Sequence, residues 1–328
     1  MATATASPQR IVSFLPSATE MIYALGLGDR LVGVTHECDY PEEARSKPVV
    51  IRPALPLEGL SPREIDERVS ARLHDGKSLY QADEALLRRL SPDLIVAQNL
   101  CQVCAPSGNE MTQVVRALPH APKVLWQTPH NLEEVLENFQ ELGDATGRSE
   151  EARAIVADAR ERIARVRKGV RGLPPPRVFM MEWIDPVFCA GHWVPEMVEI
   201  AGGHDGLARP GEFSFRVPWK DVIRWAPQVL VLSPCSVPLQ EAIGQWELLR
   251  KMPGTQDLPA VREGRTFVVD SGAYFSRPGP RLTLGIELLA HLFHPDQFAW
   301  KGPRGAFVRL PTSREGASSA TRRMDTRA

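Results

Sequence analysis

The residues best suited to chemistry in this 328-residue chain are its five cysteines and the histidines near them. His36, Glu37, Cys38 and Asp39 put an imidazole, a thiol and two carboxylates in four consecutive positions. Cys101 and Cys104 have the C-x-x-C spacing of a redox pair or of half a zinc site. Cys189 and His192 repeat that spacing with one imidazole, and Cys235 stands apart. A zinc ribbon needs a second C-x-x-C, which is absent. A zinc or iron site would therefore be assembled from His36, Cys38, Cys101, Cys104, His192 and Cys235, drawn from distant parts of the chain. The plainer role of a free cysteine is that of a small buried hydrophobe. Cys104-Ala105-Pro106 does not read as a helix start, which argues against thioredoxin-like exchange.

Aromatic side chains form the second chemical group. Trp183, Trp193, Phe213, Phe215, Tyr274 and Phe275 gather in the C-terminal half, in segments that read as loops. Aromatic loops suit the lining of a cleft that closes on a large, flat, mostly apolar ligand. Other chemistries lack their signatures. Gly26-x-Gly28 follows a helix and is no dinucleotide fingerprint, and there is no Gly-rich phosphate loop ending in Lys-Ser/Thr. No G-x-S-x-G elbow and no H-E-x-x-H helix occurs.

The elements that must position these groups alternate between strand and helix. Short apolar runs at 10–15, 31–34, 94–97, 123–126, 177–181, 229–232 and 266–269 read as buried strands. Helical periodicity lies between them, at 62–73, 83–90, 132–142 and 282–293, and a helix opens at Thr19-Glu20-Met21. This is the grammar of an α/β protein with parallel sheets. Ligands of such sheets bind beyond the carboxyl ends of the strands, and each cysteine is expected in a loop that follows a strand.

One stretch organises the rest. Ser149 to Lys168 reads as a single helix capped by Ser149, with Glu150 and Glu151 in its first turn and Arg167 and Lys168 in its last. Ala152, Ile155, Val156, Ala159, Ile163 and Val166 form one apolar stripe. Gly172 and Pro174-Pro175-Pro176 stop it. Its flanks echo each other. Pro195–Gly202 repeats the Glu-Met pair and closing Gly of Thr19–Gly26. Trp225-Ala226-Pro227-Gln228-Val229-Leu230-Val231 likewise matches Leu90-Ser91-Pro92-Asp93-Leu94-Ile95-Val96. The chain thus reads as a duplicated α/β lobe, 10–145 and 175–297, with a connecting helix at 149–170.

Composition bounds the partners. A hydrophobic fraction of 43% and a net charge of −1 describe a globular protein with no general affinity for nucleic acid. Residues 301–328 carry seven Lys/Arg against two Asp/Glu and few apolar anchors, which reads as a disordered basic tail. Met1 to Gln9 has neither a basic n-region nor an apolar h-region, and no stretch is long and apolar enough to span a membrane. The expectation is a cytoplasmic monomer with reduced thiols.

The segments RIVSFLPSATEMIYALGLGDRLVGVTHECDYP, SPDLIVAQNLCQVC, EWIDPVFCAGHWVPEMVEIAGG and GAYFSRPGPRLTLGIELLAHLFHP resemble class III substrate-binding proteins of the Fe-siderophore/cobalamin type, and in particular the cobalamin-binding branch. The resemblance covers about residues 10–297. It implies two Rossmann-like lobes joined by one long helix. It further implies a small-molecule ligand held between the lobes, cobalamin or a related corrinoid, with an ABC permease or a corrinoid-handling protein as partner. On that reading the protein is not an enzyme. Pro16, Ser17, His36, Trp183, His192, Trp193, Phe215, Tyr274 and Phe275 would contact the ligand, with His36 or His192 offering an imidazole to cobalt. Two alternatives stay open: a cytosolic metal-dependent or thiol enzyme on the same fold, and a siderophore or haem binder.

Overall fold

The computed structural model describes residues 7–99, 115 and 118–312. They divide into two compact units. The first comprises Met1–Arg162 with Arg277–Leu282, and the second Ile163–Ser276 with Thr283–Ala328. The segment Arg277–Leu282 thus belongs to the first unit, although in sequence it lies deep within the region read as the C-terminal lobe.

The first unit is built on a six-stranded sheet of β1 (Ile11–Ser13), β2 (Leu31–Thr35), β3 (Val49–Pro53), β4 (Tyr80–Ala82), β5 (Leu94–Ala97) and β6 (Lys123–Trp126). The order is β4-β3-β2-β1-β5-β6, parallel except for β4. α1 (Pro16–Ala24) follows β1, α2 (Pro62–His74) and α3 (Glu84–Leu90) flank β4, and α4 (Leu132–Thr146) follows β6. Val12, Phe14, Val50, Ile51, Leu87, Ile95 and Ala97 pack as one core cluster. The sheet reverses its winding between β1 and β5, so the carboxyl ends of those two strands flank a switch point, where open α/β sheets take ligands.

α5 (Ser149–Gly169) carries the expected stripe, with Ala152, Val156, Ala159 and Val166 buried. Ser149 is its first residue rather than a cap, and its side chain hydrogen-bonds Asp144. α4 and α5 cross closely at Gly143, where an added Cβ would lie 2.4 Å from that of Ala152.

The second unit holds β7 (Val178–Ile184), β8 (Val187–Cys189), β9 (Val229–Leu232), β10 (Thr266–Val269) and β11 (Phe307–Arg309). Its order is β11-β10-β9-β7-β8, with β8 and β11 antiparallel to their neighbours. Both sheets are therefore mixed where all-parallel sheets were expected. Helices α6 (Val194–Ile200), α7 (Trp219–Trp225), α8 (Leu239–Leu249), α9 (Pro259–Arg262), α10 (Ser271–Tyr274) and α11 (Leu282–Phe293) complete the order. β11 corrects the reading of 301–328 as wholly disordered. Ala306 and Leu310 are buried and Val308 pairs with Val268, so apolar anchors within a basic stretch suffice to add an edge strand.

The two sequence echoes are the same backbone solution formed twice. Ser91 and Ala226 each end a helix in the left-handed region, at φ 43° and 49°. In each unit an arginine then closes the turn. Arg10 Nε donates to the Leu90 carbonyl at 2.6 Å, and Arg177 Nε to the Ala226 carbonyl at 3.1 Å. The same arginines accept at their carbonyls from the amides of Asp93 and Leu94, and of Gln228 and Val229. α1 and α6 end alike at Gly26 (φ 70°) and Gly202 (φ 79°), whose amides donate to Tyr23 and Glu199. No helix among the described residues is long and apolar enough to cross a membrane.

Left-handed backbone costs a non-glycine residue roughly 1–2 kcal/mol, more than glycine's extra unfolded-state entropy. Ser91→Gly and Ala226→Gly are each expected to stabilise their unit by about 0.5 kcal/mol. Midpoints of urea unfolding check this, and destabilisation by either change contradicts it.

Candidate functional site

In the first unit the side chains of interest cluster at the carboxyl ends of β1 and β2. α1 begins directly after β1, with Pro16 and Ser17 buried in its first turn. One turn on, Glu20 is only 3% exposed. Its carboxylate takes both arms of one guanidinium, from Arg281 Nε at 2.8 Å and Nη2 at 2.6 Å. Arg277 Nη1 stands 3.5 Å from the same carboxylate, donates to Asp39 Oδ1 at 2.5 Å, and through Nη2 reaches the Glu37 carbonyl at 2.9 Å. Burial raises the Glu20 carboxyl, opposed by the hydrogen bonds and charges of Arg281 and Arg277. Burial also acts to raise Asp39, but there Arg277 prevails and the carboxyl lies below its usual range. Two carboxylates and two guanidiniums balance in charge, and the planar fork gives each cation several acceptors at once.

The loop after β2 is fastened by this cluster. The His36 amide donates to the Ile51 carbonyl, and its Nε2 lies 3.9 Å from Glu37 Oε1. Cys38 is buried, with the Thr19 hydroxyl donating to its sulfur at 3.0 Å. Burial pushes this thiol up, opposed by the hydrogen bonds of Thr19 and Thr35. Tyr40 remains 48% exposed, with the Arg281 guanidinium 4.2 Å from its ring centroid.

In the second unit, β7 runs on to Ile184 because β8 folds back on it. Glu182 and Trp183 therefore lie in the strand rather than after it. Cys189 ends β8, corrected from a loop position, and is fully buried with its sulfur 3.5 Å from the Phe215 carbonyl. Burial pushes its thiol up to about 11. Gly191 must be glycine, since an added Cβ would lie 2.2 Å from the Ser214 nitrogen. His192 follows at φ 54°, its amide donating to Glu212 and its carbonyl accepting from Gly211. The imidazole meets Phe213 edge-on at 5.1 Å and lies 5.4 Å from Trp193. Phe213 is 51% exposed.

Trp193, Tyr274 and Phe275, expected to pack on a ligand, are buried. All three are at most 5% exposed, and the Trp193 indole donates to the Phe275 carbonyl at 2.8 Å. Phe215 is half-buried beneath the Arg209 guanidinium at 4.9 Å. Trp183 Nε1 donates to the Asp185 carbonyl. The Cys235 amide donates to the Glu182 carbonyl beyond the end of β9, and Ser233, Ser271 and Ser276 link their hydroxyls beside it.

The proposed metal set is described only in part. Cys101 and Cys104 lie outside the described residues. Among the described residues no group of three or more His, Cys, Asp and Glu side chains is placed to hold a metal ion.

Sequence reasoning missed Glu20, Tyr40, Arg277, Arg281 and Asp205. Glu20 looks like an ordinary polar position of a helix, and the two arginines sit around Pro-Gly-Pro, where no periodicity marks them. Asp205 is buried and accepts from the amides of Met180, Leu207 and Ala208, fixing the start of the segment that leads to Phe213 and Phe215.

A family model described as "Periplasmic binding protein" matches residues 11–273. The vitamin B12-binding protein of Vibrio vulnificus is 25% identical over 290 residues, which cover 87% of this chain and 90% of that one. Among solved structures, the periplasmic vitamin B12-binding protein of Vibrio cholerae superposes with a TM-score of 0.64 at 23% identity, covering 89% of this chain and 98% of that one. A periplasmic haem-binding protein from Pseudomonas aeruginosa gives 0.67 at 22% identity, covering 93% and 96%. These matches are to binding proteins, and they lend no support to the cytoplasmic expectation.

Two outcomes test the site's electrostatics. Glu20→Ala leaves guanidiniums buried without their shared counter-ion and is expected to cost the first unit about 3–5 kcal/mol, read from denaturant midpoints. Burial pushes the Asp205 carboxyl up to about 6. Between about pH 4 and that value the folded state then holds a proton the unfolded chain has lost. Stability from this group is therefore full at the acid end and falls as pH rises through the window, by about 2–3 kcal/mol. In Asp205→Asn this part of the pH dependence is expected to vanish from stability curves taken across the window.

Proposed function

Because the chain belongs to the periplasmic binding protein family, matched over residues 11–273, we propose that it captures a cobalamin-like corrinoid and delivers it to an ABC-type permease. On this proposal it works outside the cytoplasmic membrane, as the family's description has it. The observation that carries the reading is the match to vitamin B12-binding proteins across nearly the full length of both chains. The residues support it with suitable chemistry. Each unit presents an open aromatic ring, Tyr40 after β2 in one and Phe213 between α6 and α7 in the other. Each also carries an imidazole outside its regular elements, His36 and His192. A corrinoid has a broad, methyl-bearing macrocycle that favours aromatic contacts and a cobalt that takes imidazole nitrogen.

His192 is held in left-handed backbone that costs a histidine energy, and it lies between two aromatic rings. Cys38 and Cys189 are both buried, and burial pushes both thiols up.

Titration of the purified protein with cyanocobalamin, cobinamide and haemin, followed by calorimetry and by the visible spectrum, tests the proposal. Saturable binding of a corrinoid is expected, with His192→Ala weakening cobinamide binding and altering its spectrum. Binding of haemin alone would move the assignment to a haem carrier. No heat and no spectral change with either corrinoid would end the corrinoid reading.

A further inference from the structure

Tyr40 is an unusual exposed residue. The residue is 48% exposed, in the loop that leaves the carboxyl end of β2, yet its neighbours hold it closely. The Arg281 guanidinium is 4.2 Å from the ring centroid. That guanidinium is itself immobilised, because both its donating arms close on Glu20 at 2.8 and 2.6 Å and Glu20 is 3% exposed. The residues just before Tyr40 are pinned as well, by Arg277 on the Glu37 carbonyl at 2.9 Å and on Asp39 Oδ1 at 2.5 Å. The cluster lies wholly within the first unit.

An exposed aromatic ring held by a buried ion pair is organised for contact before any ligand arrives. Ordering a side chain on binding costs about 0.5–1.5 kcal/mol, and a ring already fixed avoids that cost. We infer that Tyr40 is a ligand-stacking residue of this protein and that Glu20, acting through Arg281, is the positioning residue that sets its ring. The inference rests on the corrinoid reading above and deepens it. Tyr40 packs on the macrocycle of the ligand; Glu20 and Arg281 act only through the pose of the tyrosine ring.

A double-mutant cycle on cyanocobalamin affinity, measured calorimetrically on the full chain, tests this. Tyr40→Ala is expected to raise Kd about tenfold, equivalent to about 1.4 kcal/mol, while Tyr40→Phe stays near the unmodified value because the stacking face is kept. Glu20→Gln is expected to weaken binding several-fold when Tyr40 is present. Combined with Tyr40→Ala, it adds nothing further. Circular dichroism and thermal midpoints report whether each variant is folded. If Glu20→Gln does not fold, Arg281→Lys replaces it in the cycle, keeping the charge and losing the planar fork. Additive losses would show that the ion pair acts on structure generally and would overturn the positioning role. Unchanged affinity in Tyr40→Ala, with the unmodified protein binding normally, would overturn this inference and leave the corrinoid reading standing. No binding by the unmodified protein would overturn both.

Discussion

A carboxylate buried beneath two arginines ties two distant stretches of the chain together in the first unit. Taking Glu20 out of water is costly, and only close, well-directed cations offset that cost. Arg281 meets the requirement with a two-armed contact, and Arg277 extends the arrangement to Asp39 and the Glu37 carbonyl. A lysine at either position would supply the charge without the fork. The consequence reaches beyond electrostatics. The arginines belong to a six-residue segment whose chain neighbours on both sides lie in the second unit, and the ion pairs keep that segment in the first. The loop carrying His36, Cys38 and Tyr40 is fixed by the same contacts.

The duplicated architecture shows how little sequence is needed to repeat a fold. The echoed segments share few identities. What recurs is a helix stopped by a left-handed residue, an arginine closing the turn, and a buried strand beginning three residues after the left-handed one. The halves diverge where they acquire their chemistry. The first unit follows α1 with a full parallel strand, β2. In the second, only a single bridge from His204 to Arg177 occurs at the corresponding place, and β8 has folded back along β7 instead. That hairpin creates the tight crossing at Gly191 and so the setting of His192.

The distribution of aromatics and thiols fits capture better than catalysis. Trp193 and Phe275 are joined by an indole hydrogen bond and Tyr274 lies against Trp300, all inside the second unit. The rings left open are Tyr40, Trp126 and Phe213. Two of the described cysteines are buried, filling space near hydroxyls and carbonyls. This accords with a family of binding proteins.

The sequence by itself determined the alternation of strand and helix, the long stripe-bearing helix, the duplication and the family, because these follow from local periodicity, capping and breakers that act over a few residues. Leu94–Ala97 and Lys123–Trp126 are strands over the residues their apolar runs mark. Tertiary structure alone decided which polar and aromatic groups meet. Nothing local to Glu20 announces partners 257 and 261 residues away. Nothing in Trp193 distinguishes a ring that is buried from one that waits for a ligand. Short edge strands such as β4, β8 and β11 were equally illegible, since three residues carry no measurable period and form only where a neighbouring strand offers its free edge.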